Sequence, residues 1–98
     1  MASVRSLKKD IDFLMSLVLQ DCISVLEKYS SGEQEEIMEI ARKIIQDHRT
    51  LRARVVRREM RKHPDQPGKY LTGVVEEMYA LAGSSLDRLN AFVKSRNI

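Results

Sequence analysis

The side chains that could do chemistry in this chain are its two histidines, its lone cysteine and the carboxylates near them. His48 and His63 stand fifteen residues apart, and Cys22 has no histidine on its own helical face, so neither offers a zinc-ligand set. Glu59 and His63 have the i, i+4 spacing of a shared metal site, but the arginines around them would repel a cation. No Glu-x-x-His pair, glycine-rich phosphate loop or nucleophile elbow is present. The sequence therefore predicts a protein that is not an enzyme, with no catalytic residue, no metal ion and no cofactor.

Three polar residues, His48, Arg52 and Glu59, interrupt the apolar face of the second predicted helix on one side. Their simplest role is structural. Counting outward from the first predicted connection places Arg52 beside Asp10. Counting from the second places His48 near Ser84 and Ser85. Because buried polar groups normally have hydrogen-bond partners, we expect an Arg–Asp pair at the bundle edge and a histidine bonded to serine or backbone.

The charge changes sign within one helical stretch. Residues 33–47 contain five acids and two bases, a balance of −3, whereas residues 48–63 contain seven bases and one acid, a balance of +6. The remainder of the chain sums to zero, so this stretch carries the whole net charge of +3. Such an asymmetry says more about partners than about fold.

Antiparallel packing would gather these bases with those at the start of the first helix into one basic pole. One interpretation is a solvated helix end whose charges suit the helix dipoles. The other is a site that binds nucleic acid or another polyanion through phosphates, without sequence preference and with strong salt dependence. No aromatic residue interleaves the arginines to stack on bases, so we rank this function second. The candidate anion-binding residues are Arg5, Lys8, Lys9, Arg54, Arg57, Arg58, Arg61 and Lys62.

Three stretches have the 3.6-residue apolar period of an amphipathic helix. The pattern predicts helices over about Ser6–Tyr29, Glu33–Lys62 and Lys69–Ser95, the second about 30 residues long. Ser30 with Glu33, or Ser31 with Gln34, has capping-box spacing at the first connection. The second connection, 63–68, contains two prolines and a glycine, which end a helix.

Short connections make neighbouring helices antiparallel, so the predicted fold is all-α, an up-down-up three-helix bundle formed by one domain, residues 1–98. Ser84 and Asp87 could cap a fresh helix after Gly83. The apolar stripe stays in phase across this point, which favours one helix, with a kink allowed at Gly83, over two shorter ones.

The first helix has apolar residues on its far side as well. Phe13 and Leu17 lie one turn apart, together with Gln20 and Ser24, opposite the main apolar stripe. A soluble surface can tolerate one exposed apolar pair. A helix that is apolar on both sides is more often buried on both sides, so we predict that these four residues form an interface, either in a homodimer or with another protein chain.

Composition agrees with an intracellular helical protein. Hydrophobic residues make up 43% of the 98 residues and charged ones 32%. A single cysteine on an apolar face predicts a buried thiol in a reducing cytoplasm. The longest apolar run, residues 13–19, is far short of the ~20 residues that cross a membrane, so no membrane partner is expected.

Overall fold

A computed structural model describes residues 4–29, 32–56, 59, 62 and 67–96. These residues form three helices, which are α1 (Val4–Leu26), α2 (Gln34–Arg54) and α3 (Pro67–Arg96). Each helix packs against the other two, and no strand occurs in the described part of the chain. The predicted all-α three-helix bundle is therefore confirmed. The molecule is a rod that measures 53 × 19 × 18 Å.

The core runs along the rod axis because each helix buries apolar residues at steps of three and four. These positions return to the same side of a helix, so one continuous stripe per helix meets the other two. An edge-to-face contact between Tyr29 and Phe92, with ring centroids 5.2 Å apart, adds to one end of this core. The buried apolar residues are Leu7, Ile11, Met15, Val18 and Cys22 in α1; Ile37, Ile40, Ile44 and Leu51 in α2, with Val55 at its end; and Val74, Met78, Ala82, Leu89 and Phe92 in α3.

The connection between α1 and α2 is held by Gln34, the first residue of α2. Its amide nitrogen donates to the main-chain oxygens of Leu26 and Tyr29, both at 3.0 Å, and so satisfies acceptors at the end of α1. The N-cap of α2 is Glu33, whose side chain makes no capping hydrogen bond. Gln34 thus serves the preceding helix. The serines of the two predicted capping boxes, 30 and 31, lie outside the described residues, so both boxes stay predictions.

Helix α2 is shorter than the sequence pattern predicts, because it ends at Arg54 and not near residue 62. Val55 donates to the carbonyl of Arg52 at 3.2 Å, a tight closing turn. The carbonyl of Arg54 accepts a hydrogen bond of 2.7 Å from the Tyr70 hydroxyl of α3. A side chain from another helix thus takes the place of the next turn of α2, which explains the early end.

Helix α3 is one helix of 30 residues that passes through Gly83 without interruption, as favoured by the phase of its apolar stripe. It begins at Pro67, where the missing N–H costs nothing and the fixed φ angle suits the first helical position. The alternative of two shorter helices is wrong, since residues 67–96 form one continuous element.

Candidate protein-interaction surfaces

The four residues predicted as an interface lie together on the outer side of α1. They recur at steps of four, three and four, which keeps them within about 60° of one another around the helix axis. Phe13 is 68% exposed and Leu17 is 42% exposed, and Gln20 and Ser24 are exposed beside them. We call these four residues the α1 outer face.

The α1 outer face lies almost opposite the buried stripe of the same helix. Stepping about 100° per residue puts the centre of that stripe roughly 160° from Phe13. A helix in a three-helix bundle contacts two neighbours, both on its core side, and so has no third neighbour for its back. Both apolar side chains therefore remain in contact with solvent in a single chain.

Asp12 joins α1 to α2 through two partners on α2. His48 Nε2 donates to Asp12 Oδ1 at 2.7 Å, and Arg52 Nε lies 3.5 Å from the same oxygen. The predicted Arg–Asp pair at the bundle edge thus exists, but its acid is Asp12 and not Asp10. Two residues along a helix rotate a side chain by about 200°, so only one of the two carboxylates can face α2.

The predicted serine partners of His48 were also wrong, because its imidazole bonds to α1 and not to α3. Ser85 is buried on the core side of α3, and Ser84 is exposed. A half-exposed carboxylate is a stronger acceptor than a serine hydroxyl, which accounts for the preference. The sequence interpretation also missed Asp47, a buried carboxylate that takes 3.0 Å bonds from Lys43; their i, i+4 spacing was the available signal.

A second exposed stripe, on α2, was also missed. Met38 and Ile45 are 42% and 41% exposed, and Val56, just beyond the helix, is exposed as well. In the sequence these residues border the apolar face that is predicted for this helix. The structure rotates α2 so that Ile40 and Asp47 turn inward, which carries Met38 and Ile45 out. Their spacing of seven residues was a signal that sequence reasoning did not use.

The predicted basic pole is described only in part. Arg5 and Lys9 are exposed on α1, and Lys8 is half-buried. Arg54 forms an ion pair with Glu77 and lies 5.6 Å over the ring of Tyr70. Lys62 Nζ lies 3.1 Å from a carboxylate oxygen of Glu59. Two of the eight predicted bases thus have acidic partners within the chain, which lowers the charge they offer an anion. The other three, Arg57, Arg58 and Arg61, lie outside the described residues.

Cys22 is buried in the core stripe of α1, as its position on the apolar face predicts. Its thiol donates to the carbonyl of Ile37 at 3.4 Å. Burial raises the pKa of the Cys22 thiol because the thiolate would lose its hydration. A neutral, enclosed thiol is a poor nucleophile, so this residue acts as a small core side chain.

Within residues 4–29, 32–56, 59, 62 and 67–96, no three His, Cys, Asp or Glu side chains are grouped so that they could hold a metal ion. In the same part of the chain, no helix combines the length and apolar character needed to cross a lipid bilayer.

Comparison of the chain with protein-family models, with curated proteins and with solved structures gave no match.

Proposed function

We propose that this protein is a non-enzymatic helical interaction module that forms a homodimer through the α1 outer face. The observation that carries the proposal is the exposure of Phe13 and Leu17, one turn apart on the back of a helix whose other side is already buried. The two residues lie on either side of the midpoint of α1, away from the fraying ends of the helix.

The composition of the α1 outer face suits a two-fold contact. In such a contact each residue meets the same patch on its own copy, so a charge at the centre would face a like charge. Phe13, Leu17, Gln20 and Ser24 are all neutral, and two of them can also exchange hydrogen bonds across the axis. Self-association is therefore not opposed by electrostatic repulsion at the centre of this face.

The elongated chain also exposes more accessible surface than a compact protein of the same mass does. A compact monomeric protein of 11.3 kDa exposes roughly 5,700 Å², whereas this chain exposes 6819 Å². The excess is comparable to the ~800 Å² that each partner buries in a standard protein interface. A rod of this width thus gains a more usual ratio of buried to exposed surface by pairing along its side.

The energy of such a contact depends on more than two side chains. Full burial of a Phe or Leu side chain contributes about 1.5–3 kcal/mol. Association costs on the order of 4–15 kcal/mol in lost translational and rotational freedom and more in ordered side chains. Phe13 and Leu17 from both copies supply the centre of the interface, and the residues around them must complete it.

Light scattering coupled to size-exclusion chromatography tests the dimer. The wild-type chain is expected to have the mass of two copies at micromolar concentration. Phe13→Asp with Leu17→Asp places four carboxylates at the two-fold contact, so we expect a monomer with unchanged helical circular dichroism. Met38→Asp with Ile45→Asp is the matched control, since it changes two similarly exposed apolar residues on another helix and should leave the dimer intact.

A wild-type chain that runs as a monomer at high micromolar concentration would show that the α1 outer face does not self-associate. A dimer that persists in the Phe13→Asp, Leu17→Asp variant would place the contact elsewhere. Loss of the dimer in both double variants would point to a general effect of added negative charge.

A further inference from the structure

The outer stripe of α2 has the spacing of a helix-pairing seam. Its positions alternate at steps of four and three, the 3.5-residue period with which one helix follows another. The stripe is apolar at both ends and near its middle and is otherwise basic. Its members, which we call the α2 outer stripe, are Met38, Arg42, Ile45, Arg49 and Arg52 on the helix, and Val56 just beyond its end.

The apolar and basic members of the α2 outer stripe are accessible. Met38, Ile45, Arg42 and Arg49 are exposed. Arg42 lies 3.9 Å from Glu35, a long contact between two well-exposed side chains that contributes little. Arg49 has no ion pair or hydrogen bond within the described residues. The stripe itself contains no acid, and Arg52 is paired with Asp12 of α1, so Arg42 and Arg49 carry most of the charge that the stripe offers a partner.

The side of α1 next to the α2 outer stripe also has exposed apolar and basic residues. Asp12 contacts His48 and Arg52, so the side of α1 that carries Asp12 faces the stripe. Arg5 and Ile23 stand seven and eleven residues from Asp12, which returns them to within about 20° of it around the helix. Ile23 is one of the exposed large apolar residues of the chain, and Arg5 is exposed. The two helices thus form one face of apolar and basic residues, on which the carboxylate of Asp12 is already paired with His48 and Arg52.

We propose that this face binds an acidic amphipathic helix of a partner protein, which lies along α1 and α2 as a fourth helix of the bundle. Its apolar side would cover Met38, Ile45 and Ile23, and its flanking carboxylates would pair with the arginines. From Met38 to Arg52 the stripe is about 21 Å long, so a partner helix of roughly 15–20 residues spans it.

Charge and polarity favour an acidic helix at this face over a second copy of the same stripe or a nucleic acid. A second copy of the same stripe would bring arginines against arginines, so the stripe does not suit a two-fold contact with itself. Nucleic acid would pair with the arginines but would leave Met38 and Ile45 against phosphate and sugar, which gain nothing from apolar side chains. An acidic helix satisfies both kinds of residue. The proposal shares the interaction class of the proposed function but does not depend on the dimer.

The probe is a synthetic peptide of about 21 residues, with leucine at the a and d positions of its heptads and glutamate at the flanking positions. A fluorescent label allows its binding to the full chain to be followed by anisotropy. A second peptide has lysine in place of every glutamate. We expect the glutamate peptide to bind at least about tenfold more tightly than the lysine peptide.

Two double variants test the apolar and the electrostatic contributions to peptide binding separately. Met38→Ser with Ile45→Ser removes apolar surface at constant charge and should weaken the glutamate peptide by about tenfold or more. Arg42→Glu with Arg49→Glu should weaken the glutamate peptide and strengthen the lysine peptide, a reversal that simple unfolding would not produce. Circular dichroism of each variant confirms that the bundle is intact.

Phe13→Asp with Leu17→Asp is the control that separates the two proposals, since it should bind the glutamate peptide as the wild type does whether or not the chain dimerises. Equal binding of both peptides, or unchanged binding by the Met38→Ser, Ile45→Ser variant, would overturn the assignment. A single-stranded RNA oligonucleotide that competes with the glutamate peptide, and whose own binding ignores the serine variant, would make the stripe a polyanion site.

Discussion

Tyr70 shows how one side chain can define the end of a neighbouring helix. It lies in the first turn of α3, where its hydroxyl donates to the main-chain oxygen of Arg54, the last residue of α2. Its ring lies under the guanidinium of Arg54, which also pairs with Glu77. Tyr70 thus satisfies a main-chain acceptor at the end of α2 with its hydroxyl, and its ring contacts the charged group of Arg54.

Replacing Tyr70 with Phe keeps the ring and removes the hydroxyl, so it isolates this hydrogen bond. We expect the free energy of unfolding to fall by about 1 kcal/mol, because the Arg54 carbonyl loses its partner. Urea denaturation followed by circular dichroism measures the change. Tyr79→Phe is the matched control, since Tyr79 is 62% exposed on the same helix. Equal effects of the two substitutions would mean that the hydroxyl of Tyr70 does not stabilise the end of α2.

At the scale of elements, α3 sets the length of the bundle. Its 30 residues pass through Gly83 because the apolar stripe keeps its phase from Val74 to Phe92, and tertiary packing on both sides outweighs the weak helix propensity of one glycine. A β-carbon built at Gly83 meets no atom within 4 Å. The glycine is therefore not required there for close packing.

Gly83→Ala should stabilise the protein by about 0.5–1 kcal/mol, because alanine restricts the unfolded chain and favours helix without meeting a neighbour. Thermal or urea unfolding measures the gain. Gly32→Ala, at a residue whose β-carbon would also lie in open space but which belongs to a turn, should give a smaller gain. A loss of stability in Gly83→Ala would indicate that α3 bends at this residue in solution.

At the scale of the whole molecule, the two proposed surfaces lie on different sides of one rod. The α1 outer face would pair two chains along their sides, and the α2 outer stripe of each chain would stay open for a partner helix. The radius of gyration of 15.8 Å exceeds the ~12.6 Å of a compact chain of this length, which reflects the elongation. An elongated module exposes long helical sides, and these are the surfaces on which other helices pack.

Small-angle scattering should distinguish this arrangement from others. Side-by-side pairing through Phe13 and Leu17 doubles the scattering mass, but keeps the maximum dimension well short of twice the 53 Å length of one chain. The Phe13→Asp, Leu17→Asp variant should return the mass of one chain with its single-rod dimensions. A wild-type dimer close to twice as long as one chain would mean end-to-end contact, which these residues cannot provide.

The sequence by itself determined the number and type of the helices and the approximate extent of α1 and α3. Local periodicity is enough for this, because apolar side chains at steps of three and four can only share a buried face if the backbone is helical. The same reasoning placed Phe13 and Leu17 on the back of α1, since their angle from the main stripe follows from helical geometry alone. It also gave Cys22 as a core residue.

Only the tertiary structure decided the details that depend on contact between helices. Arg54 ends α2 because Tyr70, sixteen residues further along the chain, supplies the next hydrogen bond. Asp12 and not Asp10 meets Arg52, because the rotation of α1 about its axis is set by the packing of all three helices together. The rotation of α2 about its own axis is set in the same way, and it leaves Met38 and Ile45 exposed to solvent. A wide apolar stripe fixes only that a helix is buried, and its neighbours fix which edge of that stripe remains in solvent.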